Sequence, residues 1–337
     1  MRFYFAVILL LAFSCKSPEN VDKKTNNVFS IVIHGGAGTI LKKNMTKEME
    51  SNYKQKLKEA IEIGYSILEN GGSSQDAVEQ TIHVMENSPL FNAGKGAVLN
   101  FNGDVELDAS FMNGLTLDAG AVSGASKIKN PISAAIAVMK NSPHVMLSGE
   151  GADDFALSQK LELKPNSYFI TERRLNSLRK VKLNDASVIH KENKYLLNQK
   201  YGTVGCVALD KNGNISSGTS TGGMTNKKWN RIGDAPIIGA GTYANNKTCG
   251  VSATGWGEFF IRSVVAHDIS ALMEYKGLSV QEAASIVIHN KMAKLGGNGG
   301  VIALDSKGNV AMEMNTEGMY RAYMNSKGDS IIKIYAE

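Results

Sequence analysis

Gly202-Thr203-Val204-Gly205 stands where a basic, aperiodic stretch meets an apolar run. The glycine leaves the carbonyl ahead of Thr203 unhindered for backbone attack. A chain severed between Gly202 and Thr203 would give Thr203 a free α-amine. With a pKa of about 8, that amine can act as general base for the residue's own hydroxyl. One residue then supplies nucleophile and base, and none of the six scattered histidines is needed. Taken alone, the same four residues also read as the plain start of a strand.

A second hydroxyl comes near by pairing. Gly205 to Met224 reads as a hairpin turning at Asp210-Lys-Asn-Gly-Asn214. If Asp210 pairs with Ile215, Thr203 lies opposite Gly222 and beside Thr221, which could orient it. Thr254-Gly255-Trp256-Gly257-Glu258 joins a strand to a helix, where free backbone N–H groups and the positive end of the dipole gather. The Thr254 hydroxyl and Gly255 N–H could form an oxyanion hole there; a plain helix cap is the other reading. Arg231 and Asp234, three apart in an irregular loop, could hold the carboxylate and ammonium of an amino acid, or form a surface ion pair. Gly218-Thr-Ser-Thr-Gly222 fits a serine elbow only in letters, because no helical pattern follows it. Neither HExxH nor a P-loop occurs.

The elements that must position these groups are legible in outline. Val28 to His34 reads as a buried strand. Helical periodicity covers Met45 to Asn70, Ser74 to Met85, Asn130 to Lys140 and Gly149 to Leu161. Val105 to Ser110 and Leu115 to Ser123 read as strands. Gly205 to Met224 aligns without gaps on Gly300 to Met319 with nine of 20 positions identical, so the hairpin recurs. Between the copies lie two helices, about Gly257 to Tyr275 and Ser279 to Lys294. The pattern implies an α+β class with sheets packed together and helices outside.

Hydrophobic residues at 43% and charged ones at 20% exclude global disorder. The net charge is +5, and the stretch from Thr171 to Lys200 carries all of it, so a nucleic-acid-binding stripe is not expected. Phe3 to Phe13 is an apolar run after a basic start, too short to span a bilayer, and reads as a signal peptide over 1–14. Leu11-Ala-Phe-Ser-Cys15 looks like a lipoprotein box with Cys15 as the lipidated residue; ordinary cleavage nearby is the alternative. Residues 15–27 read as a polar tether. Export to the cell envelope or periplasm follows, with membrane contact only through the anchor. Cys206 and Cys249 sit in strand-like runs and read as buried thiols.

With these residues assembled, the chain from Ile31 onward resembles the plant-type asparaginase and isoaspartyl peptidase family of N-terminal-nucleophile hydrolases. The resemblance rests on His34-Gly-Gly-Ala-Gly38, Phe91-Asn-Ala-Gly94 with Gly96, Leu107-Asp-Ala-Ser110, Gly202-Thr-Val-Gly205, Ser220-Thr-Gly-Gly-Met-Thr-Asn-Lys227, Arg231-Ile-Gly-Asp234, Gly239-Ala-Gly-Thr-Tyr-Ala-Asn-Asn246, Thr254-Gly-x-Gly-Glu258 and Asn315-Thr-Glu-Gly-Met319. It implies a four-layer αββα sandwich over 28–337. It also implies self-cleavage into an α chain, 15–202, and a β chain, 203–337; the charged, aperiodic stretch over about 171–202 between them reads as a mobile linker. Thr203 would hydrolyse L-asparagine and β-aspartyl peptides, with Thr221 assisting and Asn92 nearby. Thr254 and Gly255 would hold the oxyanion. Arg231 would bind the substrate carboxylate, and Asp234 with the Gly257 carbonyl the ammonium group. No catalytic cofactor is implied. A structural sodium would take the carbonyls of Met85, Glu86, Ser88, Phe91, Ala93 and Lys95, and the assembly would be a dimer of αβ units. Trp256, between the oxyanion glycines, could narrow the range of leaving groups. A secreted chain also invites the glycosylasparaginase branch, which acts on glycan-linked asparagine; Gly-Thr-Val-Gly and the His-Gly-Gly-Ala-Gly opening favour the isoaspartyl side.

Overall fold

The computed structural model describes Met1 and residues 28–187 and 202–336. The expected leader, the tether with Cys15 and linker residues 188–201 lie outside the described residues.

Strand β1 (Ser30–Gly38) is buried from Ser30 to Ala37, and a strand buried on both faces must lie inside a stack of layers. It is followed by helices α1 (Lys47–Glu69) and α2 (Ser74–Glu86), then β2 (Leu107–Asn113) and β3 (Ala119–Ala125). Next come α3 (Pro131–Asn141), β4 (Met146–Ser148), α4 (Gly149–Ser158) and α5 (Glu172–Ser187). The second half holds β5 (Val204–Leu209), β6 (Ile215–Thr221), β7 (Thr242–Ala244) and β8 (Cys249–Gly255). Helices α6 (Gly257–Ser263), α7 (Val265–Lys276), α8 (Val280–Ser285) and α9 (Ala293–Leu295) lead to β9 (Gly299–Asp305), β10 (Val310–Met314), β11 (Gly318–Asn325) and β12 (Ser330–Tyr335).

Eight strands form one sheet in the order β12-β11-β1-β5-β6-β2-β3-β4, and four form another in the order β10-β9-β8-β7. Side-chain alternation assigns each residue to a layer. Ile31 and Ile33 of β1 face outward onto Leu57 and Ile61 of α1 and Val78 and Ile82 of α2. Val32, between them, faces inward with Val207 and Ile215 onto Ile302 and Leu304 of the small sheet. Val301 and Ala303 face the other way, onto Phe260, Val265, Ile269 and Val287. The stack is therefore helix, sheet, sheet, helix, as the resemblance implied.

The sequence repeat contributes one hairpin to each sheet, β5–β6 to the large and β9–β10 to the small. Both turns have one construction. Asp210 Oδ1 accepts from the N–H groups of Asn212 and Asn214, and Asp305 Oδ1 from those of Lys307 and Asn309. Gly213 and Gly308 take φ of 80° and 83°, which a glycine adopts without strain. The connection is one residue longer than the sequence suggested: Leu209, not Asp210, pairs with Ile215. The Asp210 side chain satisfies the turn's own N–H groups, and its strand ends one residue early. Continued one step, this register sets Thr203 opposite Thr221 rather than Gly222.

Two expected elements differ. The segment from 171, read as an aperiodic mobile linker, is helical in α5 through Ser187. It docks by Leu178 against Phe169, Leu99 and Val105, and by arginines: Arg173 donates to the carbonyls of Pro89 and Leu90, Arg174 to that of Gly96. Polar anchoring of this kind leaves no apolar stripe in the sequence. The helix expected over Gly257 to Tyr275 breaks at Val264, with φ of 51°. The N–H groups of Ala266 and His267 bond to the carbonyls of Ala240 and Gly239, so the helical ladder is interrupted there.

Gly64 lies inside α1, where glycine costs about 1 kcal/mol relative to alanine. A Cβ there would come 2.2 Å from Thr81 Oγ1 and 2.3 Å from Ile31 Cδ1. Close approach of α1 to α2 and β1 outweighs helix propensity. Gly64→Ala is therefore expected to lower Tm, with an overpacking cost of about 1–3 kcal/mol exceeding the propensity gain; a raised Tm would show that the helices part freely.

Candidate active site

Five hydroxyl side chains line β6, and strand alternation splits them. Ser216 and Ser220 face the helices, bonding to Ser74 and Glu86. Ser217, Thr219 and Thr221 face the opposite side, and Thr221 is the one at the strand's end beside Thr203. The Thr203 hydroxyl donates to Thr221 Oγ1 at 3.1 Å, and the Thr221 hydroxyl donates to the Gly202 carbonyl at 3.0 Å. Asn92 Nδ2 donates to the same carbonyl at 2.6 Å. Asn92 is itself fixed: it also donates to the Gly223 carbonyl and accepts from Val98 N–H, at 2.8 Å each. The carbonyl oxygen of the peptide bond between Gly202 and Thr203 is thus held by two donors. Gly36 backs onto it, where a Cβ would stand 2.9 Å from Gly202 Cα.

His34, assigned no role by the sequence, anchors Thr203 from below. A carbonyl can only accept, so His34 Nδ1–H donates to the Thr203 carbonyl at 2.9 Å. Burial pushes the imidazole down to about 3, against the pull of that bond, so the ring is neutral. Nε2 must then accept from the Ser252 hydroxyl at 2.9 Å. Ser252 accepts in turn from Thr219, and Thr219 from Thr242, both at 2.6 Å. This buried chain ties the two sheets together beneath Thr203. Gly205 makes room for it: a Cβ there would come 1.9 Å from Ser252 Oγ and 2.3 Å from His34 Nε2.

Thr254 and Gly255 sit at the end of β8. Thr254 Oγ1 accepts from Ala37 N–H at 3.2 Å, which leaves its own hydrogen to donate. Ala253 N–H bonds to Gly241 and Trp256 N–H to Asn298, on opposite sides of the strand. Gly255 N–H therefore points past the end of β7, out of both ladders. A Cβ on Gly255 would meet the Asn298 carbonyl at 2.5 Å. The Thr254 hydroxyl and Gly255 N–H are thus both unspent as donors among the described residues, and they are joined to Thr203 through the His34-to-Gly38 strand.

Arg231, Asp234 and Gly257 converge. A Cβ on Gly257 would lie 2.9 Å from both Arg231 Nη2 and Asp234 Oδ1. Glu258 holds the guanidinium by two bonds, 2.9 Å to Nε and 2.7 Å to Nη2, and Trp256 bonds to the same carboxylate. The Trp256 ring meanwhile packs edge-on against Phe259 at 4.9 Å. Asp234 Oδ2 is buried with no hydrogen-bond partner among the described residues. Such an oxygen beside an oriented arginine suits a ligand ammonium group. Asp108, opposite Thr221 in the β2–β6 pairing, has a second such oxygen, and its charge acts on both Arg231 and Asp234. Neither Asp108 nor Glu258 was assigned a role from sequence, although both stand inside quoted motifs; their partners are set by sheet pairing and by the turn into α6.

Burial pushes the Asp234 carboxyl up to about 7, opposed by its own backbone N–H and by Arg231. Below that pH the group is neutral and its attraction for an ammonium group is lost. Affinity for L-aspartate should therefore fall as pH drops from 8 to 6, and Asp234→Asn should weaken binding and flatten this limb. His34 is neutral across the range and contributes nothing. Calorimetric titration checks this, and a pH-independent affinity in the unaltered protein would contradict it.

An asparaginase family model matches residues 27–334. The isoaspartyl peptidase of Escherichia coli is 48% identical over 308 residues, covering 91% of this chain and 96% of that one. A probable isoaspartyl peptidase/L-asparaginase of Arabidopsis thaliana is 40% identical, covering 91% and 99%. The isoaspartyl peptidase/L-asparaginase of Bos taurus is 40% identical, covering 86% and 91%. With its sheet order, its threonine pair and its amino-acid-sized cluster of opposite charges in place, the chain belongs to the asparaginase family.

Proposed function

We propose that this chain cuts itself between Gly202 and Thr203 and then hydrolyses β-aspartyl dipeptides and L-asparagine to L-aspartate. The observation that carries the reading is the Gly202 carbonyl held by Asn92 and Thr221, with the Thr203 hydroxyl bonded to Thr221. In self-cleavage, Thr203 Oγ1 bonds to the Gly202 carbonyl carbon. Negative charge gathers on an oxygen that already has two donors, and the hydroxyl proton passes by way of Thr221. Collapse breaks the C–N bond, and Thr203 nitrogen takes the proton. Water then hydrolyses the resulting ester, freeing a Gly202 carboxylate and restoring the hydroxyl.

In turnover the freed amine takes the proton from Thr203 Oγ1, which attacks the substrate's side-chain carbonyl. Arg231 and Asp234 fix the amino-acid end, and Thr254 with Gly255 receives the oxyanion. The leaving nitrogen takes the proton from the Thr203 ammonium, and water hydrolyses the acyl ester.

We also propose a structural sodium in the loop from Met85 to Lys95. Carbonyl oxygens of Glu86 and Phe91 turn in on the glycines there: Cβ atoms on Gly94 and Gly96 would lie 2.4 Å and 2.9 Å from them. All-oxygen donors suit a hard cation, which would brace the loop carrying Asn92. Replacing sodium with tetramethylammonium should lower Tm; an unchanged Tm would remove the ion from the account. Lipidation of Cys15, export and a dimer of αβ units remain part of the proposal. Their support is the leader sequence and the family resemblance, and native mass spectrometry of protein from its own cells reads anchor and dimer together.

Thr203→Ala should remain one chain on a denaturing gel and hydrolyse neither β-Asp-Leu nor L-asparagine. Asn92→Ala should slow self-cleavage by about 10²–10³, the typical worth of one oxyanion donor. Cleavage of Thr203→Ala at the same bond would overturn the assignment of the nucleophile.

A further inference from the structure

We infer that the cavity beside the Gly202–Thr203 bond is a leaving-group subsite, built for a β-aspartyl dipeptide whose second residue carries a free carboxylate and an apolar side chain. The inference rests on the function proposed above. Acyl transfer breaks the substrate C–N bond, places the acyl group on Thr203 Oγ1 and puts a proton from the Thr203 ammonium on the leaving nitrogen. That nitrogen must therefore lie within hydrogen-bond reach of Thr203 N. A Cβ on Gly36 would stand 3.3 Å from Thr203 N, and Gly36 and Gly202 both line a cavity of about 180 Å³. The amino-acid end of the substrate is held elsewhere, at Arg231 and Asp234, so this cavity is where the other end emerges.

Its walls differ in character. Arg173 and Arg174 line one side, and Leu41, Met45 and Met49 another. Among the described residues no carboxylate pairs with either arginine. Arg173 is spent on the Tyr53 hydroxyl and two carbonyls. Among the described residues Arg174 engages only Nε, on the Gly96 carbonyl at 2.6 Å, and the amino ends of its guanidinium are the donors offered to a carboxylate. A burial cost is already visible there: desolvation, then repulsion from Arg173, pushes Arg174 down to about 10, so an anion in the cavity would relieve both. Leu41, Met45 and Met49 supply adaptable apolar contact for a side chain. Ammonia leaving from L-asparagine would touch neither wall.

The test uses fully processed protein and compares kcat/KM for β-Asp-Leu, β-Asp-leucinamide and L-asparagine. The unaltered protein should prefer β-Asp-Leu over its amide about tenfold. Arg174→Gln should abolish that preference, with kcat/KM falling about tenfold more for β-Asp-Leu than for β-Asp-leucinamide or L-asparagine. Equal rates for acid and amide in the unaltered protein, or equal losses on all three substrates in the variant, would overturn the inference. If Arg174→Gln does not process, Leu41→Glu decides: the ratio of β-Asp-Leu to β-Asp-Lys should fall about tenfold with L-asparagine unchanged, and an unchanged ratio rejects the subsite. A protein that turns over none of these substrates would instead sink the underlying function, a separate outcome.

Discussion

One carbonyl oxygen, that of Gly202, is bound by Asn92 and Thr221 at the point where a buried strand begins. Two donors aimed at a peptide oxygen stabilise negative charge more than neutral carbonyl, which is the condition that the proposed self-cleavage needs. Most of the surrounding architecture serves to keep those donors still. Asn92 sits in a loop whose neighbours Pro89, Leu90 and Gly96 are gripped by the arginines of α5, and Gly222 N–H closes the same loop onto the end of β6. Thr221 is carried by β6, which pairs with the strand that Thr203 leads into.

Severing that bond would remove the covalent restraint ahead of Thr203, so something else must hold the residue. His34 does so through the Thr203 carbonyl, and its neutrality follows from depth rather than from any charged neighbour. Burying a polar chain between two sheets is costly unless every member is paired. Here Ser252, Thr219 and Thr242 satisfy one another in sequence. The opposite balance operates at Arg231 and Asp234, where a buried carboxylate oxygen has no donor among the described residues. Unsatisfied charge is tolerated where a ligand completes the site, and under the proposed function the two regions divide the labour between fixing the enzyme's own atoms and receiving a substrate's.

Much of this arrangement is legible before any coordinates. Alternation along β1 and β9 and the repeated Asp-x-x-Gly-Asn turns mark the strands and their hairpins, because period and turn chemistry are local. A third turn, Asn325-Ser-Lys-Gly-Asp329, uses the same side-chain-to-N–H bonds with asparagine in place of aspartate, and for that reason escapes the repeat. Less visible is α5. Its charged face looks like a solvated linker, yet guanidinium-to-carbonyl bonds and the buried Leu178 dock it.

By itself, the amino-acid sequence determined which residue types were available for chemistry, the hairpins, the main helices and the threonine that follows Gly202. Tertiary structure alone decided the partners. Thr221 faces Thr203 because a side chain completes the turn at Asp210 and shifts the pairing by one residue. His34 meets Thr203 across 169 residues, and Asp108 reaches the charge of Arg231 only through the pairing of β2 with β6. Local forces fix period and turn; contacts between distant segments depend on how layers pack, and that information is spread over the whole chain rather than written at any one position.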